Sequence, residues 1–138
     1  MSILSRVLVL ADRLSPPEVA LAHCDLPCGV YDPAQARIEA ESVKGCMEKF
    51  HGSDDNVFKT RAVVIKEERA DLVKHHLWVL WTDYFKPEHL EKHPQLHDLF
   101  WKATKAAGQA KKTNDVAVAA DLLNQIGEIA SIFADTKK

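Results

Sequence analysis

The feature that most narrows the possible folds is a helical stripe that begins immediately after Asp32-Pro33. Ala36, Ala40, Val43, Met47 and Phe50 fall at offsets 0, 4, 7, 11 and 14, so they share one face of an α-helix. Asp as N-cap and Pro at the first helical position are a strong start signal, and Gly52-Ser53 with Asp54-Asp55 ends that helix and prepares the next. A second helix is expected from about Asn56 to Phe85, with Phe58, Ala62, Ile65, Leu72 and Leu80 near one face. Its Leu77-Trp78-Val79-Leu80-Trp81 run is apolar all round and needs neighbours on more than one side. Pro87 restarts the chain and Pro94 breaks or kinks it. Leu96, Leu99, Phe100 and Ala103 then carry a third helix to about Ala107, before Gly108 and a Lys-rich loop. The last helix spans about Asn114 to Asp135 with Val116, Ala120, Leu123, Ile126 and Phe133 inward. No segment alternates as a strand. The fold class expected is all-α, a four-helix bundle preceded by an N-terminal hook.

The chain has 138 residues, enough for one domain with a real core. A formal charge of −2 and the lack of a basic run give no reason to expect nucleic acid. No apolar stretch reaches the roughly 20 residues a spanning helix needs, so no membrane partner is expected. The N-terminus begins like a weak export signal, but the apolar core Val7 to Ala11 is short and Asp12-Arg13 interrupts it. Residues 1–22 are therefore expected to be a propeptide cut in the cytoplasm by a maturation protease acting after Ala22. Residues 23–31 form the hook and 32–138 the bundle.

Three cysteines (Cys24, Cys28 and Cys46) without a convincing export signal point to metal or redox chemistry rather than a disulfide scaffold. His23-Cys24-Asp25-Leu26-Pro27-Cys28 brings two thiolates and an imidazole within six residues. Pro27 and Gly29 allow the tight path that returns Cys28 to Cys24. A zinc site would want a fourth ligand, often from a second Cys or His pair, and no CxxC appears. A CxxxC redox pair would normally open a helix in an α/β pattern, which is missing. Cleavage after Ala22 would free the His23 amine, giving a set of amine, Cys24 amide and two thiolates. Such strong in-plane donors suit square-planar nickel or copper.

The run HCDLPCGVYDPAQARIEAESVK resembles the start of mature nickel-containing superoxide dismutases, and the likeness continues through VIKEERADLVKHH and WTDYFKPEHLEKHPQLH. The resemblance implies one nickel ion per subunit, held by the His23 amine, the Cys24 amide and the Cys24 and Cys28 sulfurs. The His23 imidazole would be axial in the oxidised state. It implies superoxide as substrate and a homohexamer with the hook near subunit contacts. It further implies that Tyr31 orders water or anion at the open face and that Glu39 hydrogen-bonds the axial imidazole. Arg69 is expected in a buried position close to Glu39 and His23, while Tyr84 and Lys86 pack on the hook. Lys86 would also attract the superoxide anion, and Asp25 would shape the hook.

The main alternative is a non-catalytic nickel or copper carrier using the same hook. His75, His76, His89, His93 and His97 could suggest a second metal, but Pro94 interrupts their helix, and packing or solvated faces explain them better. Cys46 is expected to be an inert buried thiol. Trp78, Trp81 and Trp101 are expected in the core or at subunit contacts.

Overall fold

The computed structural model describes residues 29–138; the expected propeptide and hook residues His23, Cys24, Asp25 and Cys28 lie outside the described residues. Four long helices carry the chain: α1 (Ala34–His51), α2 (Asn56–Val79), α4 (Leu96–Lys112) and α5 (Val116–Asp135). A short α3 (Pro87–Lys92) lies between α2 and α4. No strand occurs among the described residues. α1 packs on α2, α2 on α4, α4 on α5 and α5 on α1, which closes a four-helix ring. The His51 side chain at the end of α1 meets the Asn114 carbonyl just before α5. Trp81, past the end of α2, packs on Phe100 near the start of α4. Neighbours are thus antiparallel, and the start of α1, the end of α2, the start of α4 and the end of α5 gather at one end.

Local chemistry sets the boundaries. The Asp32 carboxylate accepts from the Ala34 N–H at 2.8 Å, the capping role expected of it, although the helix proper begins one residue later than anticipated. Asp55 and Asp115 cap α2 and α5 in the same way, accepting from the N–H groups of Val57 and Ala117.

Several expectations are corrected by the packing. α4 continues through Gly108 to Lys112, so the Lys-rich stretch is its last turns, with Ala107 and Ala110 buried. On α2 the inward face is Ala62, Lys66, Ala70, Val73 and Leu77, whereas Phe58, Ile65 and Leu72 are exposed. On α5 it is Ala119, Leu122, Ile126, Ile129 and Ile132; Val116, Leu123 and Phe133 flank it half-buried. α5 is, contrary to expectation, long and apolar enough by composition to cross a membrane. Its apolar face instead forms core with Ala36, Leu77 and Phe100. The α2 register also places Trp78 at 50% exposure, and Trp101 on α4 is 57% exposed, so neither is a core residue of the subunit.

The end of α2 holds a further departure. An α-helix was expected to about Phe85, but the chain widens into a π-helical turn at Leu80–Tyr84, closed by the Phe85 N–H donating to the Leu80 carbonyl. One extra residue per turn changes where Tyr84 and Phe85 project, and such turns cluster at functional sites. Pro87 then keeps Lys86 extended (φ −122°, ψ 164°) before α3 begins.

Candidate metal centre and its cleft

Gly29, the first described residue, follows Cys28 and has φ +72°, a left-handed conformation that glycine adopts without strain. It lies on the rim of a cleft of about 430 Å³ lined also by Tyr31, Asp83, Tyr84, Lys86, His89 and Lys137. The end of the bundle where four helix termini meet therefore coincides with the place where the hook joins it.

Tyr31 is half-buried, its ring 5.7 Å from that of Tyr84. Tyr84 is the centre of an aromatic cluster, 4.5 Å from Phe133, 5.1 Å from Phe85 and 5.8 Å from a nearly parallel His89 ring. Its hydroxyl lies 2.6 Å from that of Thr136, and the Lys137 ammonium sits 4.9 Å above its ring. Lys86 is exposed at the mouth. Its backbone is fixed by a reciprocal pair: the Lys86 N–H donates to His89 Nδ1 at 3.1 Å, and the His89 N–H to the Lys86 carbonyl at 2.9 Å.

Glu39 and Arg69 meet as anticipated but away from this cleft, across the α1–α2 seam. Arg69 Nη1 donates to both carboxylate oxygens, at 3.2 and 3.4 Å. The Glu39 side chain is 16% exposed while that of Arg69 is 41% exposed. The expectation that Arg69 is buried is therefore corrected, because the seam runs through Lys66 and Ala70 and leaves Arg69 at its edge. With its Arg69 partner open to water, the pair stabilises by about 1 kcal/mol or less.

Cys46 is half-buried rather than buried. Burial pushes its thiol up, with Arg69, Lys49 and Lys66 pulling the other way. Lys66 was missed by the sequence reading. It is 2% exposed, and its ammonium donates to the Thr113 carbonyl at 2.5 Å and to Asn114 Oδ1 at 3.0 Å. Burial pulls its pKa down. The histidines have separate partners: His89 caps α3, His97 packs edge-on against Trp81 and His51 binds a carbonyl.

Fold and cleft define the class: an all-α bundle with a polar cleft at one end, on whose rim Gly29 lies. Comparison with known proteins narrows this. The nickel-containing superoxide dismutase family matches residues 18–137. The nickel superoxide dismutase of Streptomyces coelicolor is 58% identical over 130 residues, 94% of this chain and 99% of that one. The enzyme of Streptomyces seoulensis is 57% identical over the same length. A native nickel superoxide dismutase structure superposes with TM-score 0.82 at 60% identity, covering 84% of this chain and all of its own. A structure of the apo form gives 0.77 at 57% identity over 78% of this chain and 97% of that one. The chain belongs to the nickel-containing superoxide dismutase family. It is an oxidoreductase with nickel as cofactor and superoxide as substrate.

Proposed function

We propose that His23, Cys24 and Cys28 hold the nickel at the cleft of Tyr31, Tyr84 and Lys86, and that superoxide is disproportionated there. The observation that carries this reading is the position of Gly29 on the cleft rim. Consecutive Cα atoms lie about 3.8 Å apart, so Cys28 is one peptide from that rim. The donor set fits the metal: aqueous nickel(II) is hard to oxidise, whereas thiolate and amidate donors stabilise nickel(III).

When bound, nickel supplies the one-electron couple between the two half-reactions. One superoxide loses an electron and leaves as dioxygen, while a second takes up that electron and two protons and leaves as hydrogen peroxide. Lys86 draws the anion to the mouth and holds it by charge. Tyr31 orders water or anion at the open face, and the Tyr84 ring packs beside it. Asp25 shapes the hook by hydrogen bonding. Glu39 holds the His23 imidazole, with Arg69 orienting its carboxylate. The reach is sufficient: the five peptide steps from His23 to Cys28 span up to about 17 Å. Glu39 lies only about 8 Å along α1 from its start.

Residues 1–22 act as a propeptide that a protease removes after Ala22, leaving the hook at 23–31 on the bundle of 32–138. The matches support this division. The curated relatives align over 130 residues, yet the native solved chain is spanned by 84% of this one, close to the length from His23 to Lys138. Half-exposed Trp78 and Trp101 support burial between subunits of a homohexamer. The enzyme is placed in the cytoplasm because the short, charge-interrupted run at Val7 to Ala11 makes a poor export signal.

The test is dismutation by the chain beginning at His23, loaded with nickel, beside the full chain loaded identically. Activity in the cut form alone is expected. Inactivity of both, with nickel bound through sulfur, would overturn the reading in favour of a carrier. Cys24→Ser and Cys28→Ser should each abolish turnover.

A further inference from the structure

We infer that His89 is a positioning residue for the cleft, a latch that holds Tyr84, Phe85 and Lys86 in place and does so only while its ring is neutral. The inference deepens the role given above to Lys86 and rests on it.

His89 touches all three residues of the loop, each in a different way. Its ring lies nearly parallel to Tyr84 (18°, centroids 5.8 Å apart) and edge-on to Phe85 (89°, 5.7 Å). Its Nδ1 accepts the Lys86 N–H at 3.1 Å, and its own N–H donates to the Lys86 carbonyl. The side chain is 15% exposed, so water competes poorly for these contacts. Lys86 itself has no side chain able to cap α3, because an ammonium cannot accept. The imidazole supplies the acceptor that Lys lacks, reaching back three residues as Glu or Gln does in a capping box.

An accepting Nδ1 requires the tautomer that carries its proton on Nε2. Protonation makes both ring nitrogens donors, so Nδ1–H would then face the Lys86 N–H, two donors with no acceptor between them. Glu88 lies 4.0 Å from Nε2, and Asp83, Lys86 and Lys137 share the cleft from the π-turn, the loop and the C-terminus. Tyr31 and Tyr84 are the other titratable groups facing it. Acid should therefore release the Lys86 backbone and with it the aim of the cation.

The experiment compares His89→Ala, His89→Asn and His89→Gln by backbone amide exchange at Lys86 and by kcat/KM of the nickel-loaded enzyme. Asparagine carries an acceptor near the Nδ1 position, and glutamine is the residue that reaches back to the N-cap N–H in a capping box. Exchange at Lys86 should rise about five-fold in the Ala variant and stay near the parent value in the Asn and Gln variants. kcat/KM should fall in the same order. As the solution is made acid the exchange ratio of parent to Asn variant should climb, because a protonated ring cannot accept. Equal exchange in all four proteins, or a flat ratio, overturns the latch. Lys86→Ala is measured alongside. If it leaves kcat/KM unchanged while His89→Ala still loosens the amide, the role of Lys86 is what fails and the latch stands.

Discussion

The Tyr84 hydroxyl lies 2.6 Å from that of Thr136, and Thr136 donates its single proton to the Phe133 carbonyl at 2.6 Å. With its own hydrogen occupied, the threonine oxygen can only accept from Tyr84. The phenol proton thus points to the C-terminal end of α5, and what Tyr84 offers the cleft is oxygen lone pairs. A tyrosine beside a site for an anion would ordinarily be read as a donor. With that proton engaged, the proposed role of meeting negative charge falls to Lys86 rather than Tyr84.

Thr136→Val keeps the shape and removes that acceptor. The unfolding free energy should drop by about 1 kcal/mol, as for a partly buried hydrogen bond. A released phenol that turns into the cleft should also change kcat/KM by a few-fold, roughly the factor such an energy represents. Denaturant titration and steady-state kinetics on the same variant check both, and a midpoint equal to the parent's would show that the bond contributes nothing.

Lys86 stands at the mouth of the cleft, exposed to solvent, so its attraction for an anion acts over distance and is screened by salt. Lys86→Ala should lower kcat/KM several-fold at about 0.01 M ionic strength and much less at about 0.5 M. Lys86→Arg should retain most of the rate. A loss independent of salt would mean that the side chain acts by contact rather than by steering.

The expected hook rests on candidate ligands that lie within six residues and need no fold to bring them together; the tyrosines and Lys86 were expected through the resemblance, and the fold gathers them at one cleft. The helices followed from spacing and from the starts at Asp32-Pro33 and Asp54-Asp55, whereas the Asp115 cap was not anticipated. The faces were harder. On α2 both Ala62-Lys66-Ala70-Val73-Leu77 and Phe58-Ile65-Leu72 fit a helical period, and the second set is larger and more apolar. The bundle selects the first because small alanines let α1 approach closely, leaving Phe58, Ile65 and Leu72 outside. The π-turn at Leu80–Tyr84 has no sequence signal comparable to a cap, and so the direction of Tyr84 could not be foreseen.

The Glu39–Arg69 pair gives a prediction that separates metal binding from turnover. Neither residue lines the cleft, so Arg69→Ala should leave nickel content unchanged, measured by metal analysis of the purified enzyme. Loss of the group that orients Glu39 should lower kcat about ten-fold or more, the range seen when partners of ligands are removed. Glu39→Ala should act in the same direction, and the double variant should cost little beyond either single change because the two act as a unit. Full rates in both single variants would remove the pair from the mechanism.

Lys66 offers a test of stability remote from the chemistry. Its ammonium, 2% exposed, is held by the Thr113 carbonyl and Asn114 Oδ1, which tie the middle of α2 to the turn between α4 and α5. Lys66→Ala deletes the stem and leaves both acceptors unpaired, so it should cost about 2–4 kcal/mol. Lys66→Met keeps the volume and should cost less. The pH dependence distinguishes the two contributions. Burial lowers the folded pKa below the ordinary lysine value, so between those two values the unfolded chain binds more protons than the folded one. Stability from this group therefore rises with pH across that window, as the folded state sheds a charge it holds unfavourably. The parent should gain on Lys66→Met as pH approaches the lysine range, measured by urea unfolding of both proteins. A gap that narrows with pH instead would mean that the charged ammonium is favoured where it lies, through its two acceptors, and that desolvation is the smaller effect.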